Sequence, residues 1–116
     1  MAGTLTISTL SDGTNSTSST NPIRGSARAW ANFSGTTVIN SFNVSSITAV
    51  STGIYTINFT NAMPSTTYAP IVGQHQNSAT NNASNTAYNL TTGSVTVAHW
   101  ENNLNYLVTM YLAVFA

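Results

Sequence analysis

The segment that decides the fold is Gly53-Ile-Tyr-Thr-Ile-Asn-Phe-Thr-Asn-Ala-Met-Pro64. Tyr55, Ile57 and Phe59 alternate in it with Thr and Asn side chains. An apolar residue at every second position predicts a β-strand with one face buried and the other in water. Glycine before the strand and Met-Pro after it supply turn chemistry, so the strand is bounded at both ends.

The same alternation recurs on both sides of this segment, and no helical period is present. The strands that it predicts are Thr4–Leu10, Ala27–Phe33, Val38–Ile47, Tyr55–Phe59, Tyr68–Gly73, Ser94–Trp100 and Asn105–Phe115. Pro70 cannot donate to a strand ladder, which places its segment at a sheet edge or a strand start. The sequence therefore predicts an all-β chain folded as an antiparallel β-sandwich of jelly-roll type, with about eight strands.

Composition supports the same class. The chain has 116 residues, which suits a single domain, and only 3% of them are charged against roughly 25% in ordinary soluble domains. Thr, Ser and Asn together make up 50 of the residues. Disorder is not expected, because 9% of the residues are aromatic and the net charge is zero.

Several functional classes are excluded by composition. The chain has no Lys and only Arg24 and Arg28 as cations, too few to neutralise a nucleic-acid backbone. It has no run of about 20 apolar residues, so no membrane insertion is expected. The lack of Cys excludes disulfides and thiolate metal sites, and no cofactor motif is present.

Catalytic groups are equally scarce. Asp12 and Glu101 are the only side-chain carboxylates, and Asp12 lies in a polar stretch beside a turn glycine. Two carboxylates must flank one bond in most glycoside hydrolases, and no strained Gly-x-Ser-x-Gly turn exists for a serine nucleophile. His99 and Glu101 share a strand face and could bind a cation together with His75, but such a pair is more commonly a hydrogen-bonded surface pair. We expect neither enzymatic activity nor a metal site.

The N-terminal residues differ in composition from the rest. We predict residues 1–21 as a strand and polar arm or linker, and residues 22–116 as the β-sandwich domain. Leu5 and Ile7 lie on one side of the first strand, which is either half buried or laid across a neighbouring subunit. The run Ser11–Asn21 is a solvated linker or an arm that becomes ordered in an assembly.

Two further segments indicate subunit contacts. The small residues Ala29 and Ala31 share a face and mark either a thin place in the core or a close contact between subunits. The last strand is apolar on both faces, which predicts burial on both, in the sandwich or against another subunit. The predicted interface residues are Leu5, Ile7, Ala29, Ala31, Leu107, Tyr111 and Phe115, whereas Trp30, Tyr55 and Phe59 are assigned to the core.

A second polar run, Gln74 to Asn89, is the longest predicted loop. Loops of this length are often functional, and its amide, imidazole and phenol groups could bind sugar hydroxyls. The candidate ligand-binding residues are His75, Gln76, Asn77, Asn81, Asn82, Asn85 and Tyr88. The alternative is that the run only connects two strands.

Three blocks carry a resemblance to a known family: Ala-x-Ala-Trp-x-Asn-Phe-x-Gly ending at Gly35, Ser-Phe-Asn-Val-Ser-Ser-Ile ending at Ile47, and the Gly53 to Ala69 block. Together they resemble a β-rich module of tailed-phage virion proteins, found in tail fibres and in short free-standing proteins of aquatic and cyanobacterial phages. The resemblance implies a virion structural protein, either a tail-fibre component that binds a host surface glycan and mediates attachment, or a capsid decoration (cement) protein. It also implies a homotrimer, with other phage virion proteins as partners.

Overall fold

A computed structural model describes residues 3–75, 83–101 and 109–116 of the chain. In these residues it contains ten strands and one short helix: β1 (Thr9–Ser11), β2 (Ser16–Ser18), α1 (Thr20–Gly25), β3 (Ala29–Ser34), β4 (Thr37–Phe42), β5 (Val44–Ser51), β6 (Ile54–Phe59), β7 (Ala69–Gln74), β8 (Ala83–Tyr88), β9 (Ser94–Glu101) and β10 (Thr109–Phe115). Over this part of the chain, no helix is long and apolar enough to cross a membrane.

Eight of the strands form two four-stranded sheets. The first, the β10 sheet, has the order β4-β3-β10-β7, and the second, the β9 sheet, has the order β5-β6-β9-β8. All neighbours within the sheets are antiparallel. β10 returns beside β7, the first strand of the β7-β8-β9 run, which is a Greek-key connection. The predicted all-β antiparallel sandwich is confirmed.

The core lies between the two sheets and follows the period-two alternation. Tyr55, Ile57 and Phe59 of β6 face inward, as the sequence predicts. On the opposite sheet, Ala29, Ala31 and Phe33 of β3 and Met110, Leu112 and Val114 of β10 are also buried. The rings of Phe33 and Tyr55 meet edge to face across the sandwich, with their centroids 6.1 Å apart.

The prediction that Trp30 belongs to the core is wrong, and the structure decides between the two interpretations of Ala29 and Ala31. Trp30 is 36% exposed and points away from the core, whereas the two alanines are buried inside it. Successive side chains of a strand point to opposite faces, and in β3 the two alanines and Phe33 take the inward positions, where the small alanines leave room for larger side chains of the facing sheet. The thin-core alternative therefore describes these alanines, and they are not available for contact with another subunit.

The chain crosses between the sheets at Asn43, the one residue between β4 and β5. Its φ of 57° is in the left-handed region, which Asn tolerates better than most residues. Its Nδ2 donates to the carbonyl oxygens of Arg28 at 3.0 Å and Asn61 at 3.1 Å, and its Oδ1 accepts the Asn61 N–H at 2.7 Å. These three bonds fix the corner that joins one edge of the sandwich.

The N-terminal residues depart from the prediction. The expected strand over Thr4–Leu10 is reduced to β1, which pairs with β2 in a separate hairpin, and residues 3–7 have no regular structure. The expected linker Ser11–Asn21 contains β2 and the start of α1. Asp12 closes the hairpin, because its Oδ1 accepts the N–H groups of Thr14 at 3.0 Å and Asn15 at 2.7 Å.

Candidate interaction surfaces

The two sheets present very different outer faces to solvent. On the β10 sheet, strand register places Phe42, Trp30, Ala113 and Ile71 side by side across all four strands. Phe42 and Ile71 are 55% and 60% exposed. We call this outer surface, completed by Tyr111 and Phe115 of β10, the apolar face.

Ala113 has the smallest side chain among the residues that define the apolar face. Trp30 and Ile71 flank it on the neighbouring strands, and Tyr111 and Phe115 lie two residues away along β10 on the same side. The smallest side chain of the face is thus surrounded by four large ones, all partly exposed. Because an alanine among larger neighbours leaves a low position on the surface, we infer a shallow depression at Ala113 that can receive an aliphatic side chain.

Tyr111 borders two special positions. Gly73 lies opposite Tyr111 on the neighbouring strand β7. A Cβ atom added at Gly73 would lie 4.0 Å from the Cδ2 atom of Tyr111, so the tyrosine ring covers a position that has no side chain. Across β3, Tyr111 pairs with Asn32. The Oδ1 atom of Asn32 is shielded from solvent and accepts no hydrogen bond within the described part of the chain. A buried acceptor of this kind costs about 1–3 kcal/mol in the isolated chain.

The outer face of the β9 sheet, in contrast, carries mainly polar side chains with hydrogen bonds between strands, although Ile54 and Ala98 form an apolar pair at one end of it and Thr96 is itself buried. Thr56 and Thr96, which are cross-strand neighbours, share a hydrogen bond of 3.0 Å between their hydroxyls. The Nδ2 of Asn58 donates to Ser46 Oγ and Thr48 Oγ1, each at 3.1 Å. We call this surface the polar face.

Two aromatic side chains stand on the polar face. Tyr88 of β8 is the cross-strand neighbour of Thr96, and Trp100 lies four residues further along β9 on the same side. Both are exposed, and four residues of strand separate the two positions by roughly 14 Å. Aromatic rings beside a field of hydroxyl and amide groups can stack on sugar rings while the polar groups bind their hydroxyls.

The predicted binding loop is partly a strand. Gln74 ends β7 and Ala83–Tyr88 forms β8, so the interpretation of Gln74 to Asn89 as one loop is wrong. The Ala-Ser-Asn-Thr-Ala-Tyr sequence of β8 has no clear apolar alternation, and this concealed the strand. Gln76, Asn77, Asn81 and Asn82 lie outside the described residues.

The remaining loop candidates do not converge on one site. Asn85 faces His99, with its Oδ1 3.0 Å from the His99 Nδ1, and His99 is fully buried. His75 is exposed at the end of β7, where its N–H donates to the Thr109 carbonyl oxygen at 2.8 Å. Tyr88 belongs to the polar face. Of the predicted set, Tyr88 is the residue that the structure places on a surface suited to a glycan.

The predicted interface residues divide into four groups. Ala29 and Ala31 are buried in the core. Tyr111 and Phe115 lie on the apolar face, and Leu5 and Ile7 are exposed in the N-terminal segment. Leu107 lies outside the described residues. Phe42 and Ile71 were not predicted as surface contacts; only their register with Trp30 and Ala113 of the neighbouring strands places them on this face.

Ionisable groups form no reactive cluster in the described residues. Asp12 is fully exposed, and the hydrogen bonds from Asn15 and Thr14 hold the pKa of its carboxyl below the ordinary value. An acid with a lowered pKa is ionised at neutral pH and is a poor proton donor. No group of three or more His, Asp or Glu residues that could hold a metal ion occurs among residues 3–75, 83–101 and 109–116.

Comparisons with known proteins identify no relative. No family model matches the sequence, and neither the curated proteins nor the solved structures contain a significant match to the chain. A functional assignment therefore depends on the residues and the two outer faces of the sandwich.

Proposed function

We propose that this chain is a non-catalytic structural protein of a tailed-phage virion, and that it serves in a tail fibre that mediates attachment to the host. The observation that carries the proposal is the contrast between the two outer faces of one nearly uncharged sandwich. The apolar face suits permanent contact with other virion subunits. The polar face, which carries Tyr88 and Trp100, suits a ligand with many hydroxyl groups and no charge, such as a host surface glycan.

The polar face supports recognition of a neutral ligand. Its hydroxyl and amide groups are held by cross-strand hydrogen bonds, including the Thr56–Thr96 and Asn58–Ser46 pairs. Groups held in place on a rigid sheet lose little conformational freedom when a ligand binds. An uncharged surface also keeps its affinity at high ionic strength, since it has no charges for salt to screen.

A capsid decoration protein is the second candidate, and the N-terminal hairpin favours it. The hairpin β1-β2 pairs with no strand of either sheet, and an extension of this kind can bridge neighbouring coat subunits. In this case the apolar face would contact the capsid, and no glycan would be bound.

Two experiments separate these roles. Antibody labelling of intact virions should place the chain at the tail for the first role and over the head for the second, and absence from the virion would reject both. For attachment, we expect the double variant Tyr88→Ala/Trp100→Ala to lose binding to host cells. Binding is measured with the purified chain, so that a lost contact with other virion subunits does not count as lost attachment. The control Phe42→Ala removes an exposed aromatic from the apolar face and should keep that binding. Equal binding by both variants would remove the glycan role from the polar face.

A further inference from the structure

We propose that the N-terminal arm of one copy docks on the apolar face of a second copy, so that the chain self-associates by exchange of arms. The arm is defined as residues 3–11, with Leu5, Ile7 and Leu10 as its apolar side chains. The inference goes beyond the proposed function, because it names both halves of a contact between identical chains and holds at any location in a virion.

The apolar side chains of the arm are exposed in the described part of the chain. Leu5 is 81% exposed, and Ile7 and Leu10 are exposed as well. Within the described residues, β1 and β2 pair only with each other. The radius of gyration is 16.9 Å, whereas a compact domain of this length has about 13 Å. The molecule measures 50 × 30 × 25 Å, an elongation consistent with a hairpin that stands away from the two sheets.

The apolar face complements the arm in chemistry and shape. Residues 3–11 contain no charged side chain, and the side chains that form the face are also uncharged. Leu5 and Ile7 project to the same side of an extended chain about 7 Å apart, while neighbouring strands of a sheet lie about 4.8 Å apart. One of these side chains can therefore occupy the depression at Ala113 while the other lies over an adjoining strand.

The exposed area favours an arm over a simple contact of two apolar faces. Taking about 200 Å² for each large side chain, the exposed parts of Trp30, Phe42, Ile71, Tyr111 and Phe115 sum to roughly 400–500 Å². A standard interface needs about 800 Å² from each partner. In an exchange of arms every chain gives one arm and receives another, so each chain buries both its face and its Leu5, Ile7 and Leu10 side chains, roughly 800 Å² in all.

The free edge of β4 is a weaker acceptor for the arm. The Ser41 N–H donates to Oδ1 of the neighbouring Asn40 at 2.9 Å. This local bond occupies a donor that a strand added to the edge would use, and it protects the edge against pairing. Arm and face are different surfaces, so the contact is head to tail; such contacts form a ring of two, three or more chains where the rotation between chains closes, and an open filament where it does not.

The test uses variants that each change outward-facing residues on one half of the contact. Leu5→Ser/Ile7→Ser disables the arm, and Ala113→Arg fills the depression on the outer side of β10. Thr86→Arg is the matched control, because it places the same charge on the polar face of the other sheet. Should Ala113→Arg lose its cooperative melting transition, Ile71→Arg on the edge strand β7 replaces it. Sedimentation velocity and light scattering over roughly 1–200 µM protein report the mass, since contacts of modest size have dissociation constants in this range.

We expect the parent chain and Thr86→Arg to associate, and each disabled variant to show a dissociation constant raised about tenfold or more. The decisive sample is an equimolar mixture of the arm variant and the face variant. The mixture still contains an intact arm on one chain and an intact face on the other, so 1:1 dimers that do not grow further should form.

Three results would overturn the proposal. A parent chain that remains monomeric at the highest concentration has no such contact. An arm variant that associates like the parent, while Ala113→Arg does not, shows that two apolar faces meet directly. A mixture that stays monomeric, when the parent associates, shows that arm and face do not bind each other.

Discussion

Tyr68 offers the sharpest test of the packing between the sheets. Its side chain is buried, its ring meets Phe59 edge to face at 5.9 Å, and its hydroxyl lies 3.0 Å from the Thr91 carbonyl oxygen and 2.8 Å from that of Ser94. The residue therefore ties the segment after β6 to the turn before β9. Tyr68→Phe keeps the ring and removes only the hydroxyl.

The expected loss of stability depends on which hydrogen bonds the carbonyl oxygens of Thr91 and Ser94 keep when the Tyr68 hydroxyl is removed. Ser94 O still accepts the Thr91 N–H at 2.9 Å, and Thr91 is an exposed residue, so water can reach its carbonyl. One net hydrogen bond is lost, which costs about 1 kcal/mol and lowers Tm by roughly 4 °C in a domain of this size. Tyr111→Phe is the control, because the ring of Tyr111 is partly exposed on the apolar face. It should change the free energy of unfolding by less than about 0.5 kcal/mol.

The difference in stability between the parent chain and Tyr68→Phe should also depend on pH. Burial raises the pKa of Tyr68 above the ordinary value of 10.0, outweighing the opposite effect of its hydrogen bond to Thr91. A group whose pKa is higher in the folded state stabilises the protein fully below the unfolded pKa, and this stabilisation is lost as pH rises through the folded value. The stability difference between the parent and Tyr68→Phe should therefore be constant up to about pH 9 and should shrink above pH 10.

Urea unfolding of both chains at several pH values measures this difference directly. The ionisation of the other tyrosines is common to both chains and cancels. A Tyr68→Phe variant as stable as the parent at pH 7 would refute the assigned hydrogen bonds. A difference that stays constant up to pH 11.5 would refute the raised pKa.

Four other variants test the packing of the sandwich and the turn of the hairpin. Phe59→Ala should cost roughly 3–5 kcal/mol, because it leaves a cavity, whereas Trp30→Ala should cost clearly less, because Trp30 lies on the outer face and is partly exposed; equal losses in urea unfolding would contradict the packing. Asp12→Asn should abolish an acid transition of the hairpin, since a lowered pKa gives stabilisation that is present above the ordinary value of 3.8 and lost as pH falls through the folded value. Amide chemical shifts of the hairpin follow this transition, and a midpoint at or above 3.8 would contradict it. Asn32→Leu removes an unsatisfied buried acceptor, so Tm should stay unchanged or rise by a few degrees, and a fall of more than about 3 °C would show that the oxygen has a partner.

The sequence alone determined the fold class and much of the core. Alternation at Tyr55, Ile57 and Phe59 predicted β6 and its buried side, because an extended chain turns successive side chains to opposite faces. The near-absence of charge and the lack of paired carboxylates also pointed away from nucleic-acid binding and from hydrolysis. These conclusions depend only on local geometry and composition.

Only the tertiary structure decided which side of a strand faces the core when the residues on both sides are apolar. In β3, hydrophobicity favours Trp30 as the buried residue, yet the alanines are inside because the facing strands fill that space with larger side chains. The sequence did not predict β8 for a related reason. This segment has no apolar alternation of its own, and it is a strand because it pairs with β9. The apolar face likewise exists only after β4, β3, β10 and β7 are set side by side, which brings Phe42, Trp30, Ala113 and Ile71 together from distant parts of the chain. A period of two assigns residues to the same side of a strand, but the long-range pairing of strands determines what that side contacts.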